Sequence, residues 1–467
     1  MDITLNDLKK YKHIHLIGIG GISMSAIAET LLNWGFTVTG SDATSSEITD
    51  RLISHGAEIT IGHDFKNSKK ADLIVYSAAI KDDDPEIILA NENNIQLVGR
   101  GEFVGWLTKL YKQTICISGT HGKTTTTSMI SVCFVEAEKD PTIQVGAILK
   151  NINGNYRVGN SDYFILESCE YKANFLKFVP NTEVILNIDN DHLDFYKSFD
   201  NILKAFKEFA SIPSESELVV TNADDKNCLS LQKVTRGQFV TFGIENKNAN
   251  YIAKNIIFDN NGFPTFDIYK NKEFFETISL SVAGKHNILN ALACTAVCDF
   301  YNVDTKTIAH ALKNFTGAER RLEYKGSYND FSVFDDYGHH PTEILATANA
   351  IKNKKYNKSW VIFQPHTYSR TKTHLDAFAK VLENFDNIIL VDIYAAREQN
   401  TINISSKDLV NKIIANGKQA LYMPNFEDVA QYIRKNAQPN DLVLTLGAGT
   451  ITNLASQIVK TPITNAN

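Results

Sequence analysis

The segment that most restricts the fold is ICISGTHGKTTTTSM, residues 115–129. A short apolar run stops at a loop holding Gly119 and Gly122. Lys123 and a threonine-rich stretch of helical length follow. Residues in this order suit a buried strand that ends in a glycine turn and doubles back as a helix, the unit of a helix-covered parallel sheet. Backbone N–H groups from Gly119, Thr120, His121, Gly122 and Thr125 can cradle phosphate. Lys123 supplies a point charge, and the Thr124 hydroxyl can coordinate Mg²⁺. The standard phosphate-loop spacing needs glycine at 117, where Ile117 stands, so the loop is a shorter variant.

A chain of 467 residues has room for about three domains. With 43% apolar and 21% charged residues it has the composition of a soluble globular protein. A net charge of −6 gives no electrostatic footprint for nucleic acid or an anionic membrane. The six cysteines show no CxxC spacing. Cys294 and Cys298 fall four apart in an apolar helical run, as a core helix face would place them, and reduced thiols in a cytoplasm are expected. The opening residues, MDITLNDLKKYKH, lack a signal-peptide pattern. The apolar stretch from Ile14 to Leu32 is interrupted by Gly18, Gly20, Gly21, Ser23, Ser25 and Glu29, which suits strand, turn and helix better than a membrane span.

Three blocks show a strand–helix rhythm, with expected bounds 1–110, 111–317 and 318–467. In the first, His13–Gly18, Thr37–Ser41 and Leu73–Ser77 read as strands and Met24–Trp34 as a helix. In the second, Thr114–Ser118, Tyr163–Leu166 and Glu183–Ile188 are strands, and Val282–Tyr301 is helical. In the third, Ser332–Phe334, Ser359–Phe363, Asn387–Val391 and Asp441–Thr445 are strands. The tail TPITNAN is polar and expected to fray.

Each block carries its own candidate site. LIGIGGISMSAIAE places Gly18, Gly20 and Gly21 between a strand and a helix, where backbone N–H groups and the helix N-terminus suit a diphosphate. Asp42, ending the second strand, stands where a dinucleotide fold grips a ribose. Ser23 replaces the third glycine of that fingerprint, so a plain strand–helix turn also fits these residues. In the second block Glu167 and His192 lie at strand carboxyl ends, where they can join the phosphate loop and hold Mg²⁺. Asp191 and Asp194 are weaker metal candidates, since a helix cap alone accounts for either. The third block offers Arg320-Arg321, which can be phosphate ligands or a solvated pair, then FDDYGHHPTEI and FQPHTYSRT. Its adjacent histidines His339 and His340 suit anion contacts better than zinc, and Arg370 can pair with a carboxylate.

Taken in order, GIGGISMSAIAE, GTHGKTTT, NIDNDHLD, HNILNALA, DDYGHHPTE and FQPHTYSRT resemble the Mur ligases across essentially the whole chain. The resemblance implies a three-domain α/β protein: an N-terminal Rossmann-like parallel sheet, a central P-loop ATPase-like domain, and a C-terminal Rossmann-like domain. It implies an ATP- and Mg²⁺-dependent ligase that joins L-alanine to the lactyl carboxylate of UDP-N-acetylmuramate in peptidoglycan precursor synthesis. On this likeness Gly18, Gly20, Gly21, Ser23, Met24, Ser41, Asp42, Ser77 and His192 would bind the UDP-sugar. Gly119 to Thr125, His286, Asn287, Asn290, Arg321 and Asp336 would bind ATP. Thr124, Glu167 and His192 would hold Mg²⁺, and His339, His366 and Arg370 would face carboxylate and amino acid. Lys123, Glu167, His192, Asp336 and His339 would be catalytic. Small-molecule partners, a bacterial cytoplasmic setting and a monomer or weak dimer are expected. Thr367 stands where an arginine is frequent in the family and Thr450 where an acid is, which touches substrate contacts and not the ATP chemistry.

The rival readings are a sister ligase that reattaches a recycled tripeptide to the same UDP-sugar, a nicotinamide-dependent dehydrogenase built on the first block, and a P-loop NTPase without ligase activity. A reactive acyl phosphate must be kept from water, so closure of the third block over the second is expected of the ligase.

Overall fold

The computed structural model describes residues 4–396 and 398–460, and the expected fraying of TPITNAN lies outside them. The chain forms two compact units. One comprises Met1–Lys254, Asp267–Ile278 and Leu289–Phe315, and the other Asn255–Phe266, Ser279–Ile288 and Thr316–Asn467. Three sheets run through the α/β fold.

The first sheet contains β1 (His13–Ile17), β2 (Thr37–Asp42), β3 (Glu58–Ile61), β4 (Leu73–Tyr76) and β5 (Gln96–Gly99), all parallel in the order β3-β2-β1-β4-β5. Ile14 and Leu16 point into one core and Ile17 into another, so both faces are covered, as a parallel sheet requires. The strand order reverses between β1 and β4, and α1 (Ile22–Asn33) starts just past the glycine turn there. That is the position where open α/β sheets bind ligands. The polar buried residues of this sheet are networked. His15 reaches Thr39 at 2.8 Å and Glu86 at 3.0 Å, and the Glu86 carboxylate also accepts from Ser41 Oγ at 2.7 Å. Burial pushes the Glu86 carboxyl up, but the hydrogen bonds from His15 and Ser41 outweigh it and hold its pKa below the usual carboxylate range.

The central sheet has ten strands: β6 (Gln113–Ser118), β7 (Thr142–Leu149), β8 (Gly154–Arg157), β9 (Tyr163–Glu167), β10 (Thr182–Ile185), β11 (Leu218–Asn222), β12 (Gln238–Gly243), β13 (Tyr251–Phe258), β14 (Pro264–Lys270) and β15 (Glu273–Ser279). Their order is β15-β14-β13-β12-β11-β10-β6-β9-β7-β8, and β9, β6, β10, β11 and β12 form a parallel run. The helix α2 (Lys123–Glu136) follows β6 through the glycine loop, and α3 (Lys285–Phe300) lies later in the chain. The strand expected over 183–188 stops at Ile185. Beyond it the chain leaves the sheet to wrap the glycine loop, with Leu186 N donating to Ser118 O at 3.1 Å and Thr120 N to Asn187 O at 3.2 Å. The helix expected from Val282 starts at Lys285, because Gly284 at φ +105° breaks the turn before it. The stretch 218–279, for which the sequence indicates no element, forms β11 to β15.

Glu183 occupies the middle of this sheet, in register with Cys116 on β6 and Val219 on β11. It is fully buried, and neither carboxylate oxygen has a hydrogen-bond partner. Burial, with the Glu217 charge adding to it, raises its pKa well above the ordinary value. A raised folded-state pKa stabilises the fold below the unfolded pKa, and that stabilisation is lost as pH rises toward the folded one. Glu183→Gln removes the titration. Its melting temperature should therefore gain on that of the parent steadily as pH rises from about 4.5. A gap independent of pH in thermal melts would contradict the assignment.

The third sheet is built from β16 (Glu323–Tyr328), β17 (Phe331–Asp336), β18 (Ser359–Phe363), β19 (Asn387–Leu390), β20 (Leu421–Tyr422) and β21 (Leu442–Leu446), ordered β16-β17-β21-β18-β19-β20. Only β16 is antiparallel to its neighbour. Val361, Phe363, Leu442, Leu444 and Leu446 face one apolar cluster, and Trp360, Ile362 and Val443 the other. This period-2 alternation between two cores explains why the strands read as continuous apolar runs. Among the described residues no helix is long and apolar enough to cross a membrane.

Candidate active site

The glycine loop keeps the geometry that its sequence suggests. Gly119 has φ +130° and Gly122, which caps α2, has φ +87°. A Cβ on Gly122 would sit 2.8 Å from the Asn290 amide oxygen, so a side chain there would collide with the α3 residue expected at the nucleotide. Asn187 grips His121 twice, accepting from His121 N at 2.8 Å and donating to His121 O at 2.9 Å. His121 Nε2 meets Asp189 at 3.1 Å. Thr125 is buried behind the loop.

Lys123 Nζ bonds the Gly119 carbonyl, the Thr120 carbonyl at 3.1 Å and Glu170 at 3.0 Å. Burial works against its ammonium, but the Glu170 carboxylate beside it wins and holds its pKa above the usual lysine range. Thr124 Oγ1 donates to Glu167 at 3.2 Å, and Glu167 also accepts from Gly146 N. His192 Nε2 lies 3.7 Å from Glu170. Glu167 reaches the loop from the end of β9 as expected, whereas His192 lies not at a strand end but well past Ile185, as the cap of the short helix Leu193–Tyr196. Glu170 joins them and is the residue the sequence reading missed. It is 2% exposed and is the group that faces both Lys123 and His192. The available signal was the E-x-x-E spacing just past β9. Three non-glycine residues here, Lys172, Ala173 and His192, have φ between +53° and +56°. Such conformations cost on the order of 1–3 kcal/mol each and persist where surrounding structure enforces them. The oxygen donors of Thr124, Glu167 and Glu170 are of the hard type that suits Mg²⁺, and the softer His192 imidazole lies beside Glu170.

At the first sheet's switch point, Gly18 has φ +78° and Gly20 N donates to Asp42 Oδ2 at 2.9 Å. Asp42 therefore braces the glycine turn from within. Ser77 packs against Gly18 at the end of β4. Ser23, the departure from the glycine fingerprint, accepts from Arg100 at 2.9 Å and from Gln144 at 2.7 Å. Arg100 and Gln144 were not legible as site residues, because they lie 77 and 121 positions away. Two expected contacts are placed elsewhere. The Met24 side chain is 1% exposed in the apolar core, and Ser41 is spent on the buried Glu86 network. Beside the turn a cleft of about 300 Å³ is lined by Tyr76, Arg100, Lys172, Asn174 and Lys177, a cationic wall suited to an anionic ligand.

In the second unit Asp336, at the end of β17, accepts from the backbone N–H of Leu322 and of Gly338, each at 2.8 Å, and from Thr347 at 3.2 Å. Burial raises its pKa to about 6, against the opposing charge of Arg321. Arg320 is tied to Asp335 at 3.4 Å and to the Gly447 and Gly449 carbonyls, so it clamps the glycine turn after β21, which leaves Arg321 as the nucleotide candidate of the pair. His339 and His366 lie with rings 5.6 Å apart, and His366 Nδ1 meets Arg370 at 3.2 Å. Tyr394 stacks on His366 and is a further member that the sequence reading missed. Thr367 caps the helix Tyr368–Thr373, and Thr450 Oγ1 accepts from Gln364 at 3.4 Å. His286 is exposed, and Asn287 donates to the Ala283 carbonyl at 2.8 Å.

The raised pKa of Asp336 sets a pH window. Its protonated form stabilises the fold fully below about pH 4, and that contribution is lost as pH rises through about 6. Relative to Asp336→Asn, the parent should therefore lose roughly 2–3 kcal/mol between pH 4 and 7. Denaturant melts across that range test this, and a constant difference would refute it.

Three family models match the chain in order. "Mur ligase family, catalytic domain" covers residues 13–112, "Mur ligase middle domain" 117–298, and "Mur ligase, glutamate ligase domain" 320–449. The UDP-N-acetylmuramate–L-alanine ligase of Acetivibrio thermocellus is 46% identical over 458 residues, spanning 98% of this chain and 98% of its own. The protein of the same name from Clostridium novyi is 49% identical over 450 residues, 96% of this chain and 98% of its own. The crystal structure of UDP-N-acetylmuramate–alanine ligase from Thermotoga maritima aligns with a TM-score of 0.82 at 30% identity, covering 96% of this chain and 98% of that one. A murein peptide ligase from Psychrobacter arcticus, at 24% identity and TM-score 0.73 over 96% of this chain and 98% of that one, shares the fold.

Proposed function

Because the chain belongs to the Mur ligase family, we propose that it is an ATP-dependent ligase that joins L-alanine to the lactyl carboxylate of UDP-N-acetylmuramate, a cytoplasmic step of bacterial peptidoglycan precursor synthesis. The observation that carries this reading is the paired arrangement on the glycine loop: Lys123 meets Glu170, its neighbour Thr124 meets Glu167, and His192 stands beside Glu170.

A carboxylate is a poor electrophile, because its leaving oxide is too basic. In the proposed reaction the substrate carboxylate oxygen attacks the γ-phosphorus of ATP, giving an acyl phosphate and ADP. The alanine amine then attacks the acyl carbon and phosphate leaves. The loop N–H groups and Lys123 hold the β- and γ-phosphates and neutralise charge as it moves to the leaving ADP. Thr124, Glu167, Glu170 and His192 would hold Mg²⁺, which supplies further charge neutralisation on the phosphate oxygens. The basic cleft beside the β1 turn, with Arg100, Lys172 and Lys177, suits the UDP-sugar diphosphate. His339, His366 and Arg370 supply donors for carboxylates in the second unit. We further propose that the three blocks bounded near residues 110 and 317 are its domains.

ADP release should require UDP-N-acetylmuramate, L-alanine and Mg²⁺ together. ADP formed without the UDP-sugar would indicate an unrelated NTPase. A preference for tripeptide over alanine in competition would assign the recycling reaction instead.

A further inference from the structure

The nucleotide chemistry uses the N-terminal ends of α2 and its surroundings, and leaves unexplained a group of side chains farther along that helix. Cys133, on the last turns of α2, faces Cys294 and Cys298, which lie one helical turn apart on α3. The sulfurs are 3.7 Å apart for Cys133 and Cys294 and 3.9 Å for Cys294 and Cys298, and all three fall within 4.8 Å of one another. Each residue is 0% exposed. Half of the chain's six cysteines thus converge on one point, from segments 161 positions apart.

We propose that these three thiols form a binding site for a single soft, thiophilic metal ion, specifically Cu(I) in three-coordinate thiolate geometry. Two ligands at i and i+4 on one helix face, completed by a third from the facing helix, is an arrangement that holds metals without moving backbone. The spacing fits. A metal at the usual thiolate bond length of about 2.3 Å, in the plane of three sulfurs, needs sulfurs about 4.0 Å apart. The donor set selects the ion. Among the described residues no histidine or carboxylate belongs to the cluster, so Zn²⁺ would lack the fourth ligand of its tetrahedral sites, whereas thiolate-only coordination suits Cu(I). Burial raises the Cys294 and Cys298 thiols well above their ordinary range, with Lys139 only a small opposing influence at Cys298, so the ion has to displace firmly held protons. Loading exchanges thiol protons for the ion, with no change in oxidation state. A bound ion would tie together two helices whose other ends meet at the loop, where Gly122 abuts Asn290.

The test is anaerobic titration of the full, reduced chain with Cu(I) against the chelator bathocuproine disulfonate, equilibrated over hours because the sulfurs are buried. The expected result is one copper per chain withdrawn from the chelator, with X-ray absorption of the loaded protein giving three sulfur neighbours at about 2.3 Å. Cys133→Ser and Cys294→Ser should each lose that copper, while Cys228→Ser, at a buried thiol outside the cluster, keeps it. No copper taken from the chelator, copper retained in both cluster variants, or a shell of two sulfurs would overturn the proposal. Tight Zn²⁺ binding at the same thiols with a nitrogen or oxygen neighbour would overturn the three-coordinate assignment. The absorption measurement uses the parent protein alone and decides the matter even where a variant fails to fold.

Discussion

Lys123→Ala should reduce substrate-dependent ADP release to background, a loss of about 10³-fold or more, through removal of a charge preorganised for the transferring phosphoryl group. The loss should appear in kcat as well as KM, because the lysine acts on charge that develops during transfer. The same change strips a buried carboxylate of its cation. Glu170 is 2% exposed, and the variant leaves it with the His192 imidazole at 3.7 Å in place of an ammonium at 3.0 Å. Stability should therefore fall by about 3 kcal/mol, the usual cost when one partner of a buried pair is removed, while far-UV circular dichroism stays that of the parent. Added Mg²⁺ should restore more of the melting temperature in this variant than in the parent, because the variant leaves Glu170 a stronger demand for a cation. Retention of ADP release within about 10-fold would remove Lys123 from the phosphate-transfer role.

The second large effect is expected at Glu170. Glu170→Gln keeps the size of the side chain and removes its charge. If the carboxylate helps to hold Mg²⁺, the concentration of Mg²⁺ needed for half-maximal rate should rise about 10–100-fold, and saturating Mg²⁺ should recover much of the rate. If Glu170 only positions Lys123, the Mg²⁺ requirement stays put while KM for ATP rises. Glu167→Gln provides the comparison, since Glu167 accepts from Thr124 Oγ1 while Glu170 accepts from Lys123 Nζ. Rate against Mg²⁺ at fixed ATP separates the two roles, and an unchanged Mg²⁺ profile in Glu170→Gln sinks the metal-ligand assignment.

Both predictions turn on a residue that was hard to see in the sequence. Lys123 announced itself through the strand, glycines and hydroxyl around it. Glu167 could be placed because it ends the short continuous apolar run Tyr163–Leu166. Glu170 lies three residues past that end, in a segment with no period, and the E-x-x-E spacing is the one local feature that separates it from a solvated acid. Nothing local marks Arg100 and Gln144 on Ser23, or Tyr394 on His366. In the other direction, Ser41 and Met24 looked available beside the glycine turn, yet packing took both. Ser41 satisfies the buried Glu86, and Met24 fills the core.

The amino-acid sequence alone determined the strand–glycine–helix units, the α/β class and the phosphate loop, because these follow from side-chain period, glycine's freedom at positive φ, and turn chemistry within about a dozen residues. The tertiary structure decided which distant groups meet. Strand β6 pairs with β9 on one side and β10 on the other, so the ends of three strands separated by up to 67 positions open onto one loop. That pairing sets Glu170 and His192 against Lys123, and the packing of α2 on α3 brings Cys133 to Cys294 and Cys298. Register and sheet order are collective properties of the whole core, fixed by which apolar faces can be buried together, and no local stretch of sequence encodes them.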